Sequence, residues 1–234
     1  MSDANAIFGA RRNIDLVFCI DGTGSMVPYI ESVKTNARRF QLEFSKAMTD
    51  LGSDIDSLRI KVIVFRDYHD DGANTMLESP FFELPDDDAE YAKYIENVTA
   101  TGGGESPEEN GLEALYFAMK SDFTTGSKDR QVIVLFTDAD ALKLGERSGE
   151  SNYPADMVDE QGLRDMWACV AQDPSFKLRE KNKRLVLFAP AGTLYEELKK
   201  ALNRSVFEPV DMAKGLGDID FKEIIKIIAA SASN

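Results

Sequence analysis

The stretch Ile14-Asp15-Leu16-Val17-Phe18-Cys19-Ile20-Asp21-Gly22-Thr23-Gly24-Ser25-Met26 decides how this chain is read. Its first seven residues are almost continuously apolar, as expected of a strand buried on both faces. The strand stops at a polar turn broken by two glycines. Helical spacing then takes over, with Ile30, Val33, Ala37, Phe40, Phe44 and Met48 on one face and Gly52 as the stop. A buried strand, a tight polar turn and an amphipathic helix form the opening unit of an α/β fold.

The same alternation continues outward. An apolar run over residues 58–65 ends in Arg66-Asp67-Tyr68-His69-Asp70-Asp71. Residues 81–84 read as a short edge strand, and 86–98 as a helix whose acidic start suits the positive end of its dipole. A loop over 99–106 holds Gly102, Gly103 and Gly104. A helix is expected over 108–120, with Pro107 at its start, where a missing N–H costs nothing. Residues 132–136 form a third buried strand, ending at Thr137-Asp138-Ala139-Asp140. After a polar stretch over 142–154 come a helix at 159–171, a buried strand at 185–189, a helix at 193–202, a short strand at 206–210 and an Ile-rich helix at 221–230. The pattern predicts a doubly wound, mostly parallel sheet flanked by helices, in one domain over 14–230. Residues 1–13 read as an N-terminal extension and 231–234 as a tail.

Composition narrows the function. The 234 residues carry 27 Lys+Arg against 41 Asp+Glu, a formal net charge of −14. That balance argues against a nucleic-acid backbone or an anionic membrane as the main partner. The one basic stretch, Lys177, Arg179, Lys181, Lys183 and Arg184, reads as a solvated connection. Cys19 and Cys169 lie among apolar residues without metal-ligand spacing and read as small buried hydrophobes. No apolar run approaches the ~18 residues of a membrane span, and residues 1–13 lack a signal-peptide core, so a cytoplasmic protein is expected.

In open α/β sheets, ligands bind beyond the carboxyl ends of the strands. Three such ends carry hard oxygen groups here: Asp21, Thr23 and Ser25; then Asp67, Asp70 and Asp71; then Asp138 and Asp140. Carboxylates and hydroxyls without a His or Cys cluster suit Mg²⁺, Mn²⁺ or Ca²⁺ rather than Zn²⁺. Asp67, Asp70 and Asp71 read as a solvated loop, and His69 as a surface residue.

At Asp21-Gly22-Thr23-Gly24-Ser25-Met26 and Thr137-Asp138, each directly after a buried strand, the chain resembles the von Willebrand factor A family. Phe65-Arg66-Asp67-Tyr68 and Gly102-Gly103-Gly104-Glu105-Ser106-Pro107-Glu108 look most like its intracellular and bacterial members. The resemblance implies a metal-ion-dependent adhesion site with Asp21, Thr23, Ser25 and Asp138 as ligands. The family's second-loop Thr has no exact counterpart. Ser106 keeps the hydroxyl, Glu105 is a stronger donor one residue earlier, and Thr101 lies further off. The implied function is a non-catalytic, metal-dependent protein-interaction module, taking a carboxylate or phosphate oxygen from a protein partner. The alternative is a metal-dependent hydrolase or phosphatase, against which stands the lack of a nucleophile–base pair.

Overall fold

The computed structural model describes residues 10–104, 106–170, 175–210 and 221–234. Five parallel strands form the body of the main sheet: β1 (Ala10–Asp21), β2 (Ser53–Phe65), β6 (Asp129–Phe136), β8 (Lys183–Pro190) and β9 (Ser205–Val210). Their order across the sheet is β2-β1-β6-β8-β9. Two short antiparallel strands, β3 (Met76–Glu78) and β4 (Phe82–Leu84), share the outer edge of β2. The doubly wound parallel architecture expected from the apolar strands is therefore the one observed.

The helices are α1 (Val27–Asp50), α2 (Asp88–Asn97), α3 (Gly111–Met119), α4 (Glu160–Trp167), α5 (Leu194–Ala201) and α6 (Phe221–Ser233). Strand alternation sends successive side chains to opposite faces. Ile14, Leu16, Phe18, Val132, Val134 and Phe188 join Phe40, Phe44 and Ile228 in one core layer. Val17, Cys19, Ile133, Leu135 and Leu187 join Leu115, Trp167 and Tyr195 in the other. Trp167 is a packing residue whose indole N–H donates to the Asn203 carbonyl at 2.9 Å. None of the described helices is long and apolar enough to cross a membrane.

Several expectations need correction. The helix expected from residue 108 begins at Gly111, so Pro107 does not open it. Glu108–Glu109 instead forms β5, a two-residue strand parallel to β7 (Asp140–Ala141). Gly111 marks where the helix meets the core closely: a Cβ there would lie 1.8 Å from the Tyr195 hydroxyl. The basic stretch is not wholly solvated, because Lys183 and Arg184 are buried at the start of β8. The Lys183 ammonium reaches the Trp167 carbonyl and the Glu180 carboxylate. α4 stops at Trp167. β1 begins at Ala10, within the segment read as an extension, and α6 runs to Ser233 with Ser231 and Ala232 buried.

Candidate functional site

From β1 the chain moves outward to β2 on one side and later returns to β6 on the other. This reversal opens a crevice beyond the carboxyl ends of β1 and β6, the usual ligand position in such sheets. Asp21 is the last residue of β1, and Thr137 and Asp138 directly follow β6.

A continuous chain of hydrogen bonds crosses the crevice. Asp21 is 0% exposed. Its Oδ1 accepts from the Thr23 backbone N–H at 2.9 Å and from the Thr23 hydroxyl at 2.6 Å. Its Oδ2 accepts from the Thr137 hydroxyl at 2.7 Å. The Ser25 hydroxyl donates to Asp138 Oδ1 at 2.9 Å, and the Thr23 and Ser25 hydroxyl oxygens lie 3.3 Å apart. Either hydroxyl can donate to the other, so the two carboxylates and two hydroxyls form one connected polar series. The four side chains supply oxygen donors of the type Mg²⁺ prefers. Among the described residues, no three His, Cys, Asp or Glu side chains are grouped as a metal-holding cluster. The donor set is two carboxylates supplemented by hydroxyls.

The surroundings are strongly negative. Burial, with a contribution from Asp138, pushes the Asp21 carboxyl up to about 6 against the hydrogen bonds from Thr23 and Thr137. Glu109, held beside the crevice by β5, is buried with no partner for its Oε2. Burial and repulsion from Asp21, Asp67, Asp71 and Asp70 push it up to about 9. Asp71 Oδ2 is likewise buried without a partner. Carboxyl groups buried and crowded enough to hold their protons more tightly, with oxygens left unpartnered beside the crevice, fit a site that receives a cation.

Two arginines organise the loops. Arg66, buried just after β2, donates through Nε to the Gly22 and Thr101 carbonyls at 2.9 Å each. Its other nitrogens donate to Asn74 O at 2.6 Å and Thr99 O at 2.7 Å. One guanidinium thus joins the Asp21 turn to the glycine-rich loop. That loop packs closely, since a Cβ at Gly103 (φ +82°) would lie 3.2 Å from the Thr23 Cβ. Arg147, from the polar stretch, pairs with Asp67, donating from Nε to Oδ1 at 2.7 Å. Asp67 was expected to be solvated, but its side chain is 1% exposed. Arg147→Ala leaves that carboxylate buried without its counter-charge and is expected to cost about 3 kcal/mol of stability. Urea denaturation checks this, and a loss below about 0.5 kcal/mol, the range of an ordinary surface substitution, would refute it.

The structure brings Asp21, Thr23, Ser25 and Asp138 together. Ser106 is half-buried, and its hydroxyl donates to the Glu108 carboxylate at 2.9 Å rather than to any of these four. Glu105 lies outside the described residues. Thr101 is exposed and takes part through its backbone, its N–H donating to Gly22 O at 2.9 Å. Asp70 is exposed, and so is His69, whose ring nitrogen bonds Glu150 at 2.6 Å. Sequence reasoning named Thr137 and Arg66 only as parts of motifs and assigned no role to either of them or to Glu109. Thr137 carried a signal: it sits at the last buried position before Asp138, where a hydroxyl needs a partner.

The sequence matches the von Willebrand factor A domain family over residues 15–148. A search of curated proteins finds no match. Among solved structures, the pilus adhesin SpaC from Lactobacillus rhamnosus GG is similar in fold, with a TM-score of 0.59 at 10% identity in one crystal form. That alignment covers 95% of this chain and 31% of the adhesin. The open conformation of the same adhesin gives 0.51 at 9% identity, covering 95% and 30%. This chain thus spans less than a third of the adhesin's length, and the likeness is one of fold.

Proposed function

The chain belongs to the von Willebrand factor A domain family, and from that premise we propose that it is a non-catalytic, metal-dependent protein-interaction module. The observation that carries the reading is the hydrogen-bonded series Asp21, Thr23, Ser25 and Asp138 at the switch point of the sheet. These four residues would hold Mg²⁺, or Mn²⁺ or Ca²⁺, with the remaining donor drawn from the 99–106 loop. A bound divalent cation supplies a Lewis-acidic position for a carboxylate or phosphate oxygen of the partner. Asp21 and Asp138 together balance its charge, which leaves the position receptive to an acidic group. Thr137 and the Thr23 N–H orient the Asp21 carboxylate from outside that donor set. The hydrolase alternative has less support: the chain's one histidine, His69, is exposed and bonded to Glu150. Pull-down with excess Mg²⁺, with chelator, and with the Asp21→Ala variant tests the proposal. A partner retained only by wild type with metal supports it, and one retained under all three conditions overturns it.

Protons compete with the cation at Asp21. Its pKa is about 6 in the fold against an ordinary 3.8, so the folded state holds this proton more tightly than the unfolded chain. The metal-free fold therefore gains from the group below about pH 3.8 and loses that gain as pH rises through about 6. Metal binding relieves the resulting penalty. The Mg²⁺-induced rise in Tm is expected to be large near pH 8 and to fade as pH falls through about 6. A rise independent of pH across that window would count against Asp21 as a ligand.

A further inference from the structure

The strands' amino-terminal ends, opposite the metal crevice, carry a second unusual group of charges. Arg12 on β1, Arg130 on β6 and Arg184 on β8 occupy neighbouring strands. Ile14 is in register with Arg130, and Val132 with Arg184, so the three arginines step diagonally across the sheet, about 7–8 Å per step. Each lies two residues before Ile14, Val132 or Val186 on its strand and so shares their face of the sheet. Arg130 is 7% exposed and Arg184 5%, while Arg12 is half-buried.

No carboxylate among the described residues pairs with them. The acids at this end are committed elsewhere: Asp15 to Arg59, Asp56 to Arg11, and Glu180 to Lys183 and Arg204. Asp129 accepts from the Asn13 side chain and the Gly126 N–H. Among the described residues, the guanidiniums of Arg130 and Arg184 find only nearby main-chain carbonyls. Arg130 donates to Asp129 O, Arg184 donates to Lys181 O and Lys183 O, and the Nε atoms of Arg12 and Arg130 are buried without a partner. Burial lowers Arg184 to about 10, and Arg130, Arg204 and Arg12 add repulsion. Burial lowers Arg130 as well, again with neighbouring arginines adding to it.

In a chain with net charge −14, three like charges gathered without an acid among the described residues are not explained by a shortage of carboxylates. Buried charge is costly unless paired, and guanidinium forks match tetrahedral oxyanions. We infer that Arg12, Arg130 and Arg184 form an oxyanion site for a phosphate or phosphoryl group at the amino-terminal edge of the sheet.

The test is thermal melting and calorimetric titration of the full chain in chelator, with inorganic phosphate, pyrophosphate and ADP, each against chloride at matched ionic strength. Chelator and an Asp21→Asn control separate this site from the metal crevice. The expected result is a saturable rise in Tm with phosphate or pyrophosphate. The affinity is expected to fall about tenfold in Arg130→Gln and Arg12→Gln and to be unchanged in Asp21→Asn. Tighter binding of ADP than of phosphate would assign the site to a nucleotide-borne phosphoryl group, and equal binding to the free oxyanion. If Arg130→Gln fails to fold, the half-buried Arg12→Gln carries the test. Equal effects of phosphate and chloride, or an unchanged response in Arg12→Gln, would mean that salt merely screens the arginines, and would overturn the inference.

Discussion

Asp21→Asn is expected to raise the melting temperature of the metal-free protein near pH 8 and to abolish the further rise expected from Mg²⁺ in the wild type. Asp21 is fully buried, and its carboxyl is pushed up to about 6 chiefly by that burial. At neutral pH the metal-free fold therefore carries an ionised group that the interior disfavours, a penalty on the order of 2 kcal/mol after allowance for altered hydrogen bonds. Asparagine keeps an oxygen that accepts from Thr23 and removes the charge. For a chain of this size the expected gain is roughly 4–8 °C in Tm. The same change removes one of the two carboxylates proposed to hold the cation, so Mg²⁺ affinity is expected to fall by at least about 100-fold, beyond the usual effect of altering an outer-shell partner. Gain of stability with loss of binding marks a residue held for function. Melts of both proteins with and without Mg²⁺ check this, and a variant that melts lower without metal and still responds to Mg²⁺ would refute it.

Arg66→Met has the largest expected cost. The guanidinium is the shared donor for carbonyls of Gly22, Thr99, Thr101 and Asn74, so its loss orphans acceptors in three separate segments. A charge-assisted network of this kind is expected to contribute about 3–4 kcal/mol. Because the arginine sits beneath Gly22, the Asp21 turn and the glycine-rich loop lose their common anchor. The proposed metal affinity should therefore fall together with stability, although Arg66 is not one of the proposed donors. Urea denaturation and metal titration of the variant measure both effects. Unchanged stability would show that water replaces the guanidinium without cost.

The parts of this molecule written in local pattern were legible beforehand. Apolar runs ending at Asp21, Phe65 and Phe136 announce parallel strands buried on both faces, and the Asp21-Gly22-Thr23-Gly24-Ser25 turn marks where the polar side chains of their carboxyl ends gather. Parts set by distant pairing were not legible. Glu108 and Glu109 favour a helix by propensity, yet they pair with Asp140 and Ala141 across the crevice, and tertiary pairing overrides propensity. Asp67 reads as solvated because its partner Arg147 lies 80 residues away. Lys183 and Arg184 read as surface because nothing local shows the Trp167 carbonyl that receives the lysine. Arg66 resembles any charged residue after a strand until the three segments it joins are placed around it.

The most direct measurement is a Mn²⁺ titration near neutral pH followed by electron paramagnetic resonance, with Mg²⁺ as competitor, on wild type and on Asp21→Asn and Asp138→Ala. One ion bound per wild-type chain, displaced by Mg²⁺ and lost in both variants, is the expected result. No saturable binding in the wild type, or binding unchanged in the variants, would contradict a divalent cation held between Asp21 and Asp138.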